Sequence, residues 1–201
     1  MDEITYLRNS WNTVLELIKD RGYTLQEIYH KLGEEEFKYL IHHNKLNIIA
    51  KNNKNDIIYV KFILTSKVKT ATVKEISLEI NDKCKKFNNI NLLFVLKSKP
   101  NTSLKKIEKD KSIGNIQIMW CKHLQINPTK HILVPKHLKL ADEDVTNLLE
   151  KYSLKTKTKL PIILKADPIV RYYNFKTGDV IKIIGSLSST NPNYNNYRCV
   201  K

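Results

Sequence analysis

"NLLFVLK", residues 91–97, holds five consecutive apolar residues, Leu92 to Leu96, with no polar position between them. A run that is apolar on both faces and bounded by the turn-rich stretches "FNNIN" and "SKPNTS" reads as a buried strand. Working outward, Val73, Ile76, Ile80, Cys84 and Phe87 recur at helical spacing before it. "KLNIIA" and "DIIYVKFIL" read as strands separated by the turn-forming "KNNKND". After it, "LKKIEKDK" reads as a short polar helix and "NIQIMWC" as another strand. Strands alternating with helices through residues 45–122 predict a small α/β layer. Ile4, Leu7, Trp11, Val14, Leu15 and Ile18 predict an amphipathic helix over 3–20, ended by Gly22 and packed on that layer. A second helical stretch, "TLQEIYHKL", runs to Gly33, and "EEEFKYLIHH" follows it.

Composition changes after Asn127-Pro128, where elements shorten and Pro135, Pro161, Pro168, Gly178 and Gly185 punctuate the chain. Asp142 is placed to cap the helix "EDVTNLLEKY", and "LPIIL" reads as a strand. "DPIVRYY" reads as a helical turn capped by Asp167 with Pro168 at its first position. "DVIKIIG" and "YNNYRCVK" read as a terminal hairpin. The expected fold is therefore α+β in two domains. Residues 1–130 form an α/β domain on a mixed sheet, and residues 131–201 form a small α+β domain.

The chain has 201 residues and a formal charge of +15, unevenly spread. Residues 1–44 carry −3, residues 45–130 carry +12 (18 Lys against 6 Asp or Glu), and residues 131–201 carry +6. A lysine-rich middle segment fits a polyanionic partner, with a solubilising surface as the plain alternative. No apolar run approaches the roughly 20 residues that cross a bilayer. "MDEITYLRNSW" is unlike a signal peptide. Cys84, Cys121 and Cys199 form no CxxC pair and point to a reducing compartment.

No set of residues assembles an active site. His131 and His137 flank Pro135, so they cannot share a helix face; on an extended strand they would lie about 20 Å apart, too far for one metal. His42 and His43 sit at a helix end, where the dipole favours them. The five glycines form no phosphate loop. The acidic runs Glu34–Glu36 and Asp142–Asp144 read as solvated helix starts. No catalytic residue, metal or cofactor is expected.

"HILVPKHLKLADE" resembles the signature of the fifth subunit shared by eukaryotic nuclear RNA polymerases and of its shorter archaeal counterpart. The match continues in order through "LLEKYSLK", "LP", "DPIVRYY", "KTGDVIKII" and "YR", covering residues 131–201. "SWNTVLELIKDRGY" is similar to the first helix of the eukaryotic form, and the archaeal counterpart lacks that front domain. The chain thus resembles the eukaryotic or virus-encoded form.

The resemblance implies a non-catalytic polymerase subunit, one copy within a hetero-oligomer, contacting the largest subunit and other subunits. Its C-terminal module would dock on the largest subunit through His131, Pro135, His137, Pro161, Asp167, Pro168, Arg171, Tyr172 and Arg198. Its N-terminal "jaw" would lie along downstream duplex DNA, with the family's proline-bearing loop at Lys99, Pro100, Ser103, Lys105 and Lys106. The location implied is nuclear, or a cytoplasmic viral factory or virion for a virus-encoded form. Three departures stand out: Ile162 replaces the family's arginine, Asn174 its glycine, and the terminal hairpin loop is longer with Asn193 at an arginine position. These changes point to an altered partner surface. The rival readings are a free-standing basic nucleic-acid-binding protein and a nuclease. The nuclease would need clustered carboxylates for Mg²⁺ that the sequence does not show.

Overall fold

The computed structural model describes residues 2–185 and 194–201. The chain divides into two compact units, Met1–Ile126 and Asn127–Lys201. Each unit is α+β and built on its own four-stranded mixed sheet.

In the first unit, helix α1 (Glu3–Asp20) is followed by α2 (Glu34–His42), β1 (Asn47–Lys51) and β2 (Ile57–Ile63). Then come α3 (Thr70–Lys83), β3 (Ile90–Leu96), α4 (Thr102–Ile107) and β4 (Asn115–Trp120). The sheet order is β1-β2-β3-β4. Strand β1 runs antiparallel to β2, while β2, β3 and β4 are parallel. The apolar run of the sequence is thus an internal parallel strand, and Leu92 through Leu96 are each no more than 2% exposed. Leu92, Phe94 and Leu96 face Val73 and Ile80 of α3 and Leu104 and Ile107 of α4, in one apolar cluster with Ile63, Ile116 and Ile118. Alternation along the strand sends Leu93 and Val95 to the other face.

Helix α1 covers that other face. Trp11, 1% exposed, contacts Phe62 of β2 at 5.7 Å, Phe37 of α2 at 5.9 Å and Tyr29 at 6.2 Å between ring centroids. A polar clasp adds direction. Ser10 Oγ, fully buried, donates to the Cys121 carbonyl, and Gln125 Nε2 donates to Ser10 Oγ at 2.7 Å. Burial pushes the Cys121 thiol up to about 11, so it stays protonated at neutral pH and serves as packing.

The stretch "TLQEIYHKL" departs from the expected helix: only Glu27–Tyr29 forms a turn of 3-10 helix. Its backbone groups are drawn elsewhere. Thr24 N donates to Lys51 O at the end of β1, and the Tyr29 carbonyl accepts from Trp11 Nε1. Tyr29 Oη accepts from Ile49 N, so the segment covers the outer edge of β1 rather than pairing with itself.

The second unit contains β5 (Lys136–Lys139), α5 (Asp142–Lys151), β6 (Ile162–Ile163), α6 (Pro168–Tyr173), β7 (Val180–Gly185) and β8 (Tyr194–Val200). The sheet order is β5-β7-β8-β6. The expected hairpin is β7–β8; the residues between its strands, with Asn193 and the longer loop, lie outside the described residues. Adjacent residues of β7 point to opposite sides. Val180 and Cys199 join Val145 and Leu148 of α5, while Ile181 and Val200 join Val170 of α6. Strand β5 is an addition to the expected set, because Lys136-His137-Leu138-Lys139 gives no apolar run. It is an edge strand, where lysines are favoured. "LPIIL" shortens to two paired residues. Asp142 is not the cap of α5: Ala141 holds that position without a side-chain bond, and Asp142 begins the first turn beside Glu143 and Asp144. There its carboxylate interacts with the helix dipole instead of a single N–H.

Helices α1, α2, α5 and α6 share one termination. A left-handed residue follows each: Gly22 (φ 81°), Asn44 (φ 52°), Ser153 (φ 52°) and Asn174 (φ 55°). In each case the next amide reaches back five residues to a helix carbonyl, for example Tyr23 N to Ile18 O and Phe175 N to Val170 O. Asn174 therefore meets a conformational demand most often met by glycine.

Replacing Asn174 with Ala should cost about 1–2 kcal/mol, the usual penalty of a left-handed L-residue, whereas Asn174→Gly should be close to neutral. Urea unfolding of the two variants checks this. Equal losses in both would mean that the Asn174 side chain, not its backbone angle, is what matters.

Candidate docking surface and basic loop

The second unit begins with a buried polar anchor. Asn127, 6% exposed, accepts from Thr129 N (2.9 Å) and Thr129 Oγ1 (2.7 Å), which shapes the 3-10 turn Pro128–Lys130. Its Nδ2 donates to Tyr172 Oη at 3.0 Å. Tyr172 is only 1% exposed, so it is a core residue supporting the surface from beneath and not a contact residue itself. The polar hydroxyl and the apolar ring are both accommodated by this arrangement.

From that anchor the chain makes a tight turn at His131–Val134, closed by Val134 N donating to His131 O at 2.8 Å. His131 Nδ1 accepts from Leu133 N at 3.2 Å. The turn raises Ile132 and Leu133 to its tip, where they are 95% and 82% exposed. Pro135 follows, and its carbonyl accepts from His137 Nδ1–H at 2.7 Å as the chain enters β5. A carbonyl can only accept, so His137 carries its proton on Nδ1. His131, accepting at Nδ1, carries its own on Nε2 when neutral. The two histidines thus set the turn and hold opposite tautomers. Among the described residues no group of three or more His, Cys, Asp or Glu is placed to hold a metal ion.

The other expected interface residues gather around α6 and the opposite edge of the sheet. Asp167 caps α6, accepting from Ile169 N (2.8 Å) and Val170 N (3.3 Å), with Pro168 at the first helical position. Arg171 is half-buried on that helix. Arg198 on β8 donates from Nη1 to the Ile162 carbonyl at 3.0 Å, fastening β6 to the sheet. Pro161 is exposed, as are Ile162 (48%) and Leu164 (59%). Ile132, Leu133 and Leu164 were not among the expected contact residues. Apolar residues in a strand or loop are assigned to the core by default, and only the fold shows these to be uncovered.

In the first unit the loop after β3 leads into α4. Asn101 caps this helix, its Oδ1 accepting from Leu104 N at 2.8 Å. Leu104 and Ile107 are buried, which forces Ser103, Lys105 and Lys106 outward. Lys99 is exposed and Pro100 half-buried. All five expected DNA-side residues therefore lie on one loop and one short helix. Lys61, by contrast, is held below the usual lysine range by burial, and its Nζ donates to Asn44 O.

The sequence has relatives of known class. Residues 126–200 match the family model "RNA polymerase Rpb5, C-terminal domain" and residues 2–80 match "RNA polymerase Rpb5, N-terminal domain". Similar curated proteins include the Arabidopsis thaliana "DNA-directed RNA polymerases IV and V subunit 5B", 31% identical over 94% of this chain and 86% of the relative. "DNA-directed RNA polymerase subunit 5-like protein 1" of the same plant is 31% identical over 98% of this chain and 96% of its own length. "DNA-directed RNA polymerase V subunit 5A", also from that plant, is 30% identical over 84% and 77%.

The geometry separates support from surface. Tyr172→Phe removes the acceptor of Asn127 Nδ2 in a buried site and should cost about 1–3 kcal/mol. The double variant I132D/L133D alters only uncovered side chains and should stay within about 0.5 kcal/mol per site of the parent. Denaturant titration of both variants checks the contrast. A large loss in the second would show that the turn tip is packed against the protein.

Proposed function

The chain belongs to the Rpb5 family of DNA-directed RNA polymerase subunits, and from that premise we propose that it is a non-catalytic, stoichiometric component of the enzyme. Residues 131–201 dock on the largest subunit, and the first unit lies along the downstream duplex. Its location follows the enzyme's: the nucleus, or a viral factory or virion if the gene is viral.

The observation that carries the docking half is the uncovered pair Ile132 and Leu133, held at the tip of a turn that two histidines and a proline fix. Covering a Leu or Ile side chain is worth about 1.5–3 kcal/mol each. A pre-shaped turn also loses little entropy on binding. The charge of residues 45–130 and the outward lysines of α4 support the DNA half. Contacts of this kind act mainly through counterion release and carry no base sequence. Nucleotide addition and its metal chemistry belong to other subunits in this reading.

Two measurements test the halves separately. I132D/L133D should reduce capture of the largest subunit by at least about 100-fold, two apolar anchors at roughly 1.4 kcal/mol per decade. Unchanged capture would remove the turn from the interface. K105E/K106E should assemble normally and shorten open-complex lifetime about fivefold in low salt, equivalent to about 1 kcal/mol, the effect shrinking as salt rises. Normal transcription by the reconstituted enzyme at every salt concentration would take that loop away from DNA.

A further inference from the structure

The apolar cluster beneath α3 and α4 stops short of the first strand. It takes in Tyr59 and Ile63 of β2 but no residue of β1, and Ile49, directly opposite Tyr59 in the β1–β2 register, stays 41% exposed. Lys61 stands on the same face, two residues beyond Tyr59, between Asn47 of β1 and Phe94 of β3. Its side chain is half-buried, and its Nζ donates to the Asn44 carbonyl at 3.3 Å. Among the described residues no carboxylate forms an ion pair with it. The charged group that faces it is Glu79 of α3, which is already engaged by Lys83; both also flank Tyr59. Asn47, its cross-strand neighbour, offers only a neutral acceptor, a buried Oδ1 without a hydrogen-bond partner among the described residues. Burial therefore outweighs the pull of Glu79 and holds the amine below the usual lysine range.

We propose that Lys61 is an acylation site, taking an acyl group from a thioester of the coenzyme A class and laying the acyl chain on the uncovered face of Ile49 and Tyr59. The inference goes beyond the polymerase reading and does not depend on it. Only a neutral amine has the lone pair that attacks a carbonyl, and this site favours that form. In the step, Nζ attacks the thioester carbonyl carbon, the C–N bond forms and the C–S bond breaks. The thiolate leaves and takes up the proton that the nitrogen releases. The amide product keeps one N–H, enough to retain the bond to the Asn44 carbonyl. What it loses is a charge that burial already opposed, so the fold tolerates the change. The acyl chain meets Ile49 and Tyr59, which no element of the first unit's helical layer covers completely.

The test incubates the folded full chain with acetyl-coenzyme A and follows the occupancy of each lysine by peptide mass spectrometry. At about pH 7.5 Lys61 should be acetylated at least about threefold faster than the exposed Lys45 and Lys51, because a lowered pKa raises the neutral fraction of an amine. The lead should shrink as the pH rises to about 10.5, where lysine amines in general lose their protons. I49D sets a carboxylate on the same face, favours the ammonium and should abolish the lead at the lower pH. I49N has a similar shape without the charge and should keep it. Octanoyl-coenzyme A should widen the lead in the parent chain, since its longer chain has apolar surface to rest on, and I49N should remove that extra gain. Equal labelling of the three lysines at the lower pH, a lead that holds across the pH range, or a lead that survives in I49D overturns the site. A lead no wider with the octanoyl thioester overturns the seating of the chain on Ile49 and Tyr59.

Discussion

A strand with apolar side chains on both faces must be covered on both faces, and the first unit follows from that requirement. Leu92 to Leu96 cannot form an edge or a one-sided sheet without exposing a row of large side chains. Parallel neighbours on each side satisfy the backbone, and crossover helices are the connections such neighbours need. Helices α3 and α4 occupy one face in consequence, leaving the other for α1 and its tryptophan. The same constraint sends the loops that follow the parallel strands to one end of the sheet, and Lys67, Lys69, Lys99 and Lys122 are exposed on them. A surface feature, the clustering of lysines there, is therefore set by how the core is covered.

The second unit works with less apolar material and relies more on polar anchoring. Its two clusters are small, five buried residues each among the described residues, and lie on opposite sides of the β7–β8 strand pair. Asn127, Tyr172 and Asp167 add direction where area is limited, each satisfying buried or helix-terminal groups that would otherwise be costly. The apolar residues left outside, Ile132 and Leu133 above all, are ones this small core does not enclose. Their position at a hydrogen-bonded turn gives the surface its shape, and the two histidines contribute by hydrogen bonding to backbone groups.

Ile162 shows how an apolar side chain is accommodated at an outward position of the sheet edge. Where the family resemblance leads one to expect arginine, this chain has an isoleucine that is 48% exposed beside Leu164 at 59%. Arg198 from the neighbouring strand holds the local backbone through the Ile162 carbonyl, so the conformation of the edge does not depend on the outward side chain. Asn174 represents the opposite case. There the backbone angle is what the position demands, and asparagine tolerates the left-handed region better than most residues.

Much of this was legible from residues alone. The helix over 3–20 with its Gly22 stop, the Asp167-Pro168 start of α6 and the buried strand at 91–97 each depend on local rules, namely periodicity, caps and continuous apolarity. So did the family resemblance of residues 131–201, which rests on short motifs in fixed order. Other features required the tertiary structure. "TLQEIYHKL" has helical periodicity, yet Trp11 and β1 take its backbone partners, and no local rule weighs that competition. Lys136–Lys139 becomes a strand only because β7 offers an edge. Tyr172 moves from surface to core through a bond to a residue 45 positions away. Sequence determined the elements whose periodicity, caps or continuous apolarity act among neighbours along the chain, such as α1, β3 and α6. Which apolar residues remain uncovered, and which lysines share an edge, was decided by packing between segments far apart in sequence.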